Sequence, residues 1–247
     1  MYGVNKVNYS RELDKIVSEC REQGRIPTLL LQVCCAPCSS HCLELLREDF
    51  DITVLYYNPN ISEREEYEKR KAEELRLISE YNRQVEEQSF TGMHSTCKAR
   101  RIQVLDCDYE GEAYEKAVHG LENCPEGGDR CTVCFALRLG KTAQLAAEGG
   151  YDYFTTTLTI SPLKDAERLN RIGSGMGEKY GVSWLPSDFK KKEGYKRSIE
   201  LSRQFGLYRQ NYCGCKYSKA ESAGGRNEAI TGCINRGNGE GLCGSRL

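Results

Sequence analysis

Short apolar runs alternate with longer amphipathic segments along most of this chain. Runs of this length, rich in β-branched and aromatic residues, predict buried strands. Five such runs occur, at TLLLQVCC (28–35), DITVLYYNP (51–59), IQVLDCDY (102–109), YDYFTTTLT (151–159) and VSWLP (182–186). The segments between them have helical periodicity and charged faces. The order of elements therefore predicts an α/β fold with a parallel sheet and helices on both faces.

Composition divides the chain into three parts. Residues 1–27 predict a polar helical extension, residues 28–218 the α/β domain, and residues 219–247 a flexible tail rich in Gly, Ser, Arg and Asn. Residues 84–101 fit neither strand nor helix and are interpreted as an insertion.

The helix after the second strand has a recognisable start. Ser62 has the position of an N-cap, and a glutamate at residue 65 has the spacing that completes a capping box. We therefore expect the Ser62 hydroxyl to accept a hydrogen bond from the first turn of this helix.

The overall charge is nearly neutral, whereas the cysteine content is unusual. The net charge is −1, so contact with nucleic acid would need a local basic patch. The chain has 14 cysteines but no apolar stretch of the length that a signal peptide or a membrane helix needs. We therefore expect a cytoplasmic protein without membrane contact. In that compartment, clustered cysteines stay reduced and act as metal ligands or catalytic groups.

Half of the cysteines fall into three groups. They are Cys34, Cys35 and Cys38 in CCAPC, Cys131 and Cys134 in CTVC, and Cys213 and Cys215 in CGC. The first group follows the first strand, at the sheet edge where open α/β sheets bind their ligands. The second group opens a helix, whose N-terminus favours thiolates. The third lies in a glycine-containing loop that can bend close to a metal.

The number of grouped cysteines bears on the metal that they bind. A tetrahedral zinc takes four ligands, whereas this larger set suits a four-cysteine iron–sulfur cluster with further ligands on a second metal. The alternative is one structural zinc held by CTVC and CGC, with the other cysteines buried as small apolar residues. Cysteines also occupy the turn where a P-loop protein has its glycine-rich phosphate site, which argues against that class.

Longer motifs resemble a known family. They are CCAP (34–37), YNPNI (57–61), EGGDRCTVCF (126–135), FTTTLTISP (154–162), SDFKKKEGYKRSIELS (187–202) and LYRQNYCGC (207–215). Together and in this order they resemble the cobalamin-independent epoxyqueuosine reductase family over residues 29–218. The N-terminal extension, the insertion and the tail lie outside the resemblance.

The resemblance implies an activity, a fold and a metal centre. The family removes the epoxide oxygen of epoxyqueuosine at the wobble position of tRNA, giving queuosine. It has a Rossmann-like fold of the HUP type and a [4Fe-4S] cluster beside a mononuclear iron. The implied ligands are Cys34, Cys35, Cys131, Cys134, Cys213 and Cys215. Position 38 can be Asp in relatives, and here Cys38 is an expected seventh ligand.

The implied reaction needs protons as well as electrons. Conversion of an epoxide to an alkene consumes two electrons and two protons and releases water, so a proton donor must lie near the substrate. Motif position makes Asp188, Tyr195 and Tyr212 the candidate catalytic residues. An electron donor, which the sequence does not identify, is also required.

A basic stretch after the fifth strand is the expected tRNA contact. It contains Lys190, Lys191, Lys192, Lys196 and Arg197, with Phe189 and Tyr195 interleaved. Such cations neutralise phosphates, and aromatic rings can stack on an exposed base. The alternative for this stretch is a solvated helix face.

Two other functions are compatible with part of this pattern. An iron–sulfur tRNA-thiolating enzyme could have the same α/β frame, but it would need ATP, and the chain lacks a phosphate loop. A zinc-stabilised RNA-binding module would use about four of the cysteines and would be colourless. The sequence does not indicate the oligomeric state.

Overall fold

The computed structural model describes residues 7–90 and 98–223. Its strands are β1 (Thr28–Gln32), β2 (Asp51–Leu55), β3 (Gln103–Leu105), β4 (Tyr153–Thr156) and β5 (Ser183–Trp184). They form one parallel sheet in the order β3-β2-β1-β4-β5. The five predicted strands and the parallel α/β fold are thus confirmed. Each strand is shorter than its apolar run, because the last residues of each run leave the sheet at its carboxyl edge, where they form loops or, after β4, a 3₁₀ helix.

Helices connect the strands. They are α1 (Tyr9–Glu22), α2 (Ala36–Leu46), α3 (Arg64–Glu87), α4 (Gly111–Ala117), α5 (Asp129–Glu148), α6 (Ala166–Tyr180) and α7 (Gly194–Gln204). A 3₁₀ helix, Thr157–Ile160, follows β4, and residues 216–223 are also helical. In the described ranges, no helix combines the length and the apolar character that membrane crossing requires.

The predicted extension, insertion and tail are covered only in part. The boundary predicted at residue 218 falls inside the last helical segment, and α3 runs into the predicted insertion. The described residues exclude 1–6, 91–97 and 224–247.

The period-two pattern of β1 divides the core between the two faces of the sheet. Leu29 and Leu31 pack with residues of α1, α2 and α3. Leu30, between them, packs with residues of α5 and α6. All three side chains are fully buried. Helices therefore cover both faces of the sheet, as predicted.

The order of the strands reverses at β1: β2 and β3 lie on one side of it, and β4 and β5 lie on the other. Strands β1 and β4 are neighbours, with Leu30 opposite Phe154, although two other strands lie between them in the chain. In open α/β sheets the ligand site lies outside the carboxyl ends of the strands at such a point. Cys34 follows β1 and Thr157 follows β4, and the Thr157 hydroxyl lies 3.7 Å from the Cys34 Sγ atom. The first cysteine group therefore lies at this crossover.

The predicted capping box of α3 is wrong. The helix begins at Arg64, and the residue before it, Glu63, makes no side-chain capping bond. The Ser62 hydroxyl instead accepts a hydrogen bond from the Lys216 backbone N–H at 2.9 Å, and the Ser62 N–H donates to the Gly214 carbonyl at 3.1 Å. A tertiary contact with the distant CGC loop has replaced the local cap.

Candidate metal centre and reaction cavity

The turn between β1 and α2 brings three thiols together. Cys35 immediately precedes α2, and Pro37 lies in the first turn, where its missing N–H costs no hydrogen bond. The Sγ atoms of Cys34, Cys35 and Cys38 lie within 4.8 Å of one another. Among the His, Cys, Asp and Glu side chains of residues 7–90 and 98–223, no other group of three or more has ligand atoms this close. This group could bind a metal ion.

Cys34 is the most acidic thiol of this group. Hydrogen bonds from the Cys35 and Cys38 thiols lower the pKa of Cys34 well below its ordinary value, and the nearby Lys164 ammonium acts in the same direction. The same hydrogen bonds, together with burial, raise the pKa of Cys38. Because the thiolate is the form that binds metals, Cys34 has the strongest metal-binding character of the three thiols.

The CGC loop is tightly constrained. Gly214 has a φ of +112°, and a Cβ there would come within 2.7 Å of a neighbouring isoleucine, so the loop requires glycine. The Cys213 carbonyl accepts hydrogen bonds from Asn60 Nδ2 at 3.2 Å and from Arg70 Nη1 at 3.3 Å. The sulfurs of Cys213 and Cys215 are 3.3 Å apart. Hydrogen bonding with the Cys215 thiol lowers the pKa of Cys213 to about 5.

Helix α5 supplies Cys131 and Cys134 from its first two turns. The Gly127 N–H, just before the helix, donates to the Cys131 sulfur at 3.2 Å. Cys134 is buried and packs in one cluster with both cysteines of the CGC loop. Cys131 and Cys34 both pack against one cluster of apolar residues from α5, α6 and the 3₁₀ helix. The three cysteine groups thus adjoin one another at this end of the sheet.

A cavity of about 330 Å³, the reaction cavity, opens at the carboxyl edge of the sheet. Four of the predicted metal ligands line it: Cys34, Cys35, Cys38 and Cys213. The other three, Cys131, Cys134 and Cys215, are not among its lining residues. The cysteines therefore do not all open to one cavity, although they are neighbours.

The cavity is rich in positive charge. Its charged lining residues are the cations Arg70, Arg138, Lys164 and Arg209 and the carboxylate Glu126. This local excess contrasts with the net charge of −1 on the whole chain. It suits an anionic occupant.

The surroundings of Arg138 indicate what kind of centre the cysteines could hold. Its side chain is 3% exposed, and its Nε donates to the Cys134 carbonyl at 3.4 Å. The side chains of Cys134, Cys34 and Cys213 lie near it, and their thiolate forms would raise its pKa. A buried guanidinium is costly unless negative charge compensates it. Thiolate ligands around a metal–sulfur centre would supply that charge, so the donor set and its surroundings fit such a centre.

Comparison with known proteins decides the family. The family model described as Epoxyqueuosine reductase QueH matches residues 29–221. The chain belongs to this family. The epoxyqueuosine reductase QueH of Streptococcus pyogenes serotype M1 is 43% identical over 213 residues, covering 86% of this chain and 78% of that protein. The QueH proteins of Staphylococcus epidermidis and Thermotoga maritima are 39% and 35% identical, covering 86% and 78% of this chain and 85% and 91% of theirs.

Two of the three predicted proton donors of this QueH family member lie at the cavity. Tyr195 and Tyr212 line it, but Asp188 does not. The Asp188 carboxylate lies 2.5 Å from Lys190 Nζ and lines a neighbouring cavity of about 430 Å³ near the start of α1. Asp188 therefore does not line the cavity that holds the cysteines, and its catalytic role stays a prediction. The loop after β5 turns the aspartate towards α1, whereas Lys164 lines both cavities.

The basic stretch predicted to bind RNA is largely paired with carboxylates. The ion pairs are Lys190 with Asp188, Lys192 with Asp14, Lys196 with Glu193, and Arg197 with Glu44. Lys191 lines the second cavity. Phe189 is only 3% exposed and belongs to the core, so it cannot stack on a base as predicted.

Sequence reasoning missed several cavity residues. Arg138 lies four residues after Cys134, a spacing that places both on one helix face and could have revealed it. Arg70 had no such signal. It belongs to the segment EYEKRKAEE of α3, whose charge pattern predicts a solvated helix, yet its side chain is 2% exposed. Gln210 was likewise unremarkable until the fold placed it in the cavity wall.

Proposed function

We propose that the protein is an epoxyqueuosine reductase that removes the epoxide oxygen from epoxyqueuosine at the tRNA wobble position. The observation that carries this proposal is the set of four thiols opening to one cationic cavity at the sheet crossover. Membership of the QueH family supplies the substrate class. We further propose that the fold is of the HUP type and that the protein acts in the cytoplasm.

We propose that the grouped cysteines hold a [4Fe-4S] cluster and an adjacent mononuclear iron. The ligands would be Cys34, Cys35, Cys38, Cys131, Cys134, Cys213 and Cys215. When bound, this pair would supply single electrons from an external donor and a Lewis acid for the epoxide oxygen. Arg138 and Lys164 would balance the negative charge of the ligands, because both side chains lie beside Cys34 and Cys213.

The two cavity tyrosines are the proposed proton donors. Burial, together with the nearby Glu66 carboxylate, raises the pKa of Tyr212, so its phenol keeps its proton at neutral pH. Tyr195 is partly exposed and lines the same cavity. Either hydroxyl could donate to the oxygen that leaves as water.

The basic stretch after β5 is the proposed contact for the tRNA backbone. Lys190, Lys191, Lys192 and Lys196 would approach phosphates, and their carboxylate partners would be exchanged for the RNA. Arg197 is excluded from this set because it is bonded to the buried Glu44.

Anaerobic purification tests the proposal directly. Iron, sulfide and zinc would be measured in the protein, and turnover would be assayed on tRNA bearing epoxyqueuosine with a chemical reductant. We expect a brown protein with more than the four irons of one cluster per chain, and conversion to queuosine. Colourless protein that contains zinc alone would indicate an RNA-binding module instead. ATP-dependent transfer of sulfur to tRNA would indicate a thiolating enzyme.

A further inference from the structure

Two residues that line the cavity each have a buried polar atom without a hydrogen-bond partner. The atoms are Nη2 of Arg70 and Oε1 of Gln210. A buried donor or acceptor without a partner destabilises the fold, and folded proteins leave few of them. Their presence in residues that line a reaction cavity therefore points to a ligand that pairs with them.

The other buried atoms without a partner in the described residues belong to residues outside this cavity. Eight side-chain nitrogen or oxygen atoms in the described residues are buried without a partner. The other six belong to residues that do not line the reaction cavity: His41, Asn60, Glu74, Gln84, Arg100 and Arg130.

Arg70 is held rigidly. Its Nε donates to Glu66 at 2.7 Å, its Nη1 donates to the Cys213 carbonyl at 3.3 Å, and its guanidinium lies 5.0 Å from the centre of the Tyr212 ring. These contacts use two of its three nitrogens and fix the plane of the group. The remaining nitrogen is thus a preorganised donor beside a proposed metal ligand and a proposed proton donor.

Gln210 lies two residues before Tyr212 on the same segment of the wall. Its neighbours Arg209 and Asn211 also line the cavity. A primary amide offers an acceptor and, after rotation, a donor. Arg70 and Gln210 therefore offer an uncompensated donor and an uncompensated acceptor in the wall of the same cavity.

We infer that Arg70 and Gln210 form a subsite for the hydroxyl groups of the ring that carries the epoxide. This inference rests on the proposed function. A hydroxyl both donates and accepts, so hydroxylated ring atoms match an orphaned donor and an orphaned acceptor without adding charge. An unmodified guanine at the wobble position lacks this ring. The subsite would thus distinguish modified from unmodified tRNA, a task that phosphate contacts cannot perform.

The test compares two tRNAs that differ only at the wobble base. Affinities of anaerobically purified, iron-loaded protein would be measured for a tRNA bearing epoxyqueuosine and for the same tRNA with guanine. The variants are Gln210→Met and Arg70→Lys. The first removes the amide at similar volume, and the second keeps the positive charge but removes the planar guanidinium with its several N–H donors. Gln144→Met is the control, because Gln144 is an exposed glutamine of α5 that bonds Glu148 one turn later and lies away from the cavity.

Wild-type protein should prefer the modified tRNA, and Gln210→Met should reduce that preference about tenfold, the equivalent of about 1.4 kcal/mol. Affinity for the guanine tRNA and the iron and sulfide content should be unchanged. Arg70→Lys should reduce the preference at least as much, and Gln144→Met should leave it intact.

Full preference in Gln210→Met with normal iron content would overturn the subsite, and would show that water satisfies the amide. The proposed function would survive that result if wild-type protein still converts the modified tRNA. Absence of any preference and of any turnover in the wild-type protein would remove the proposed function and the subsite together.

Discussion

Arg197 of α7 donates two hydrogen bonds to the carboxylate of Glu44 in α2, from Nε at 3.0 Å and from Nη2 at 2.7 Å. Only 4% of the Glu44 side chain is exposed, so this ion pair joins the two helices across a largely dry contact. Burial raises the pKa of Glu44, but the nearby His41 imidazole and the hydrogen bonds from Arg197 outweigh burial, and the pKa is lowered overall. The arginine belongs to the basic stretch, but two of its side-chain nitrogens are bonded to this buried carboxylate.

Replacement of Arg197 should therefore destabilise the fold rather than weaken RNA binding. Arg197→Met leaves the Glu44 carboxylate buried without its partner, which should lower the free energy of unfolding by about 2–4 kcal/mol at pH 7. Because the pKa of Glu44 is lowered in the fold, its contribution is complete above the ordinary carboxyl pKa and is lost as the pH falls through the lowered value. The difference from wild type in urea unfolding should thus shrink below about pH 4.

The double variant Arg197→Met, Glu44→Gln is the control, because it removes both charges and should recover part of the loss. A single variant that is as stable as wild type but binds tRNA more weakly would return Arg197 to the RNA-contact set.

Loss of a grouped cysteine should remove metal and activity together. Cys35→Ser and Cys215→Ser are each expected to abolish reduction of epoxyqueuosine-tRNA and to lower the iron and sulfide content, since serine is a poor ligand for these metals. Cys107→Ser is the matched control. Its sulfur donates to the Tyr56 carbonyl at 3.2 Å, a bond that a serine hydroxyl can replace, and it lies outside the reaction cavity. Either variant with full iron content and wild-type turnover would show that the ligand assignment at that position is wrong.

Charge reversal of the lysines that follow Asp188 tests the RNA contact. Changing Lys190, Lys191 and Lys192 to Glu should weaken tRNA binding and flatten its dependence on salt, by roughly 0.7–0.9 in the log–log slope for each phosphate that the protein no longer neutralises. The control is Lys179→Glu at the end of α6, at the opposite edge of the sheet from the cavity. Equal salt slopes for the triple variant and the control would assign these lysines to a solvated face.

Arg138 should be needed for the metal centre. Arg138→Met removes the buried positive charge beside Cys134, so the same set of thiolates would be uncompensated. We expect at least a several-fold loss of bound iron and sulfide after anaerobic purification, with partial recovery in Arg138→Lys. Arg83→Met is the control, because Arg83 is half exposed and pairs with Glu80 and Glu87 on its own helix. Full metal content in Arg138→Met would rule out this charge-balancing role.

The buried carboxyl of Glu74 should make the free energy of unfolding decrease as the pH rises. It is 1% exposed, accepts a hydrogen bond from the Ser39 hydroxyl at 2.8 Å, and burial raises its pKa to about 8. Between the ordinary carboxyl pKa and pH 8 the unfolded chain releases this proton and the folded chain retains it. The wild type should therefore lose up to about 1.4 kcal/mol of stability per pH unit over that window from this group.

Glu74→Gln cannot ionise and should lack this slope, so its stability relative to wild type should increase from pH 5 to pH 8 in urea unfolding. Parallel pH profiles for the two proteins would mean that Glu74 is already ionised in the fold.

The amino-acid sequence determined the secondary structure and the edge of the sheet at which chemistry occurs. Apolar runs such as TLLLQ can be buried on both sides only within a covered parallel sheet, and a motif that follows such a strand must lie at its carboxyl end. The position of the CCAPC group at the carboxyl end of β1 follows from these local rules, as does the glycine in the CGC loop, whereas the strand order that makes this end a crossover does not.

Tertiary structure alone decided which polar side chains became part of the core and the cavity. Ser62 bonds the segment that follows the CGC loop instead of capping its own helix. Arg197 bonds Glu44, and Arg70, although it lies on a highly charged helix, lines the cavity. Each of these contacts joins residues far apart in the chain. The partner of a polar group depends on which distant segments the packing brings close, and the periodicity of one segment carries no information about the surface of another.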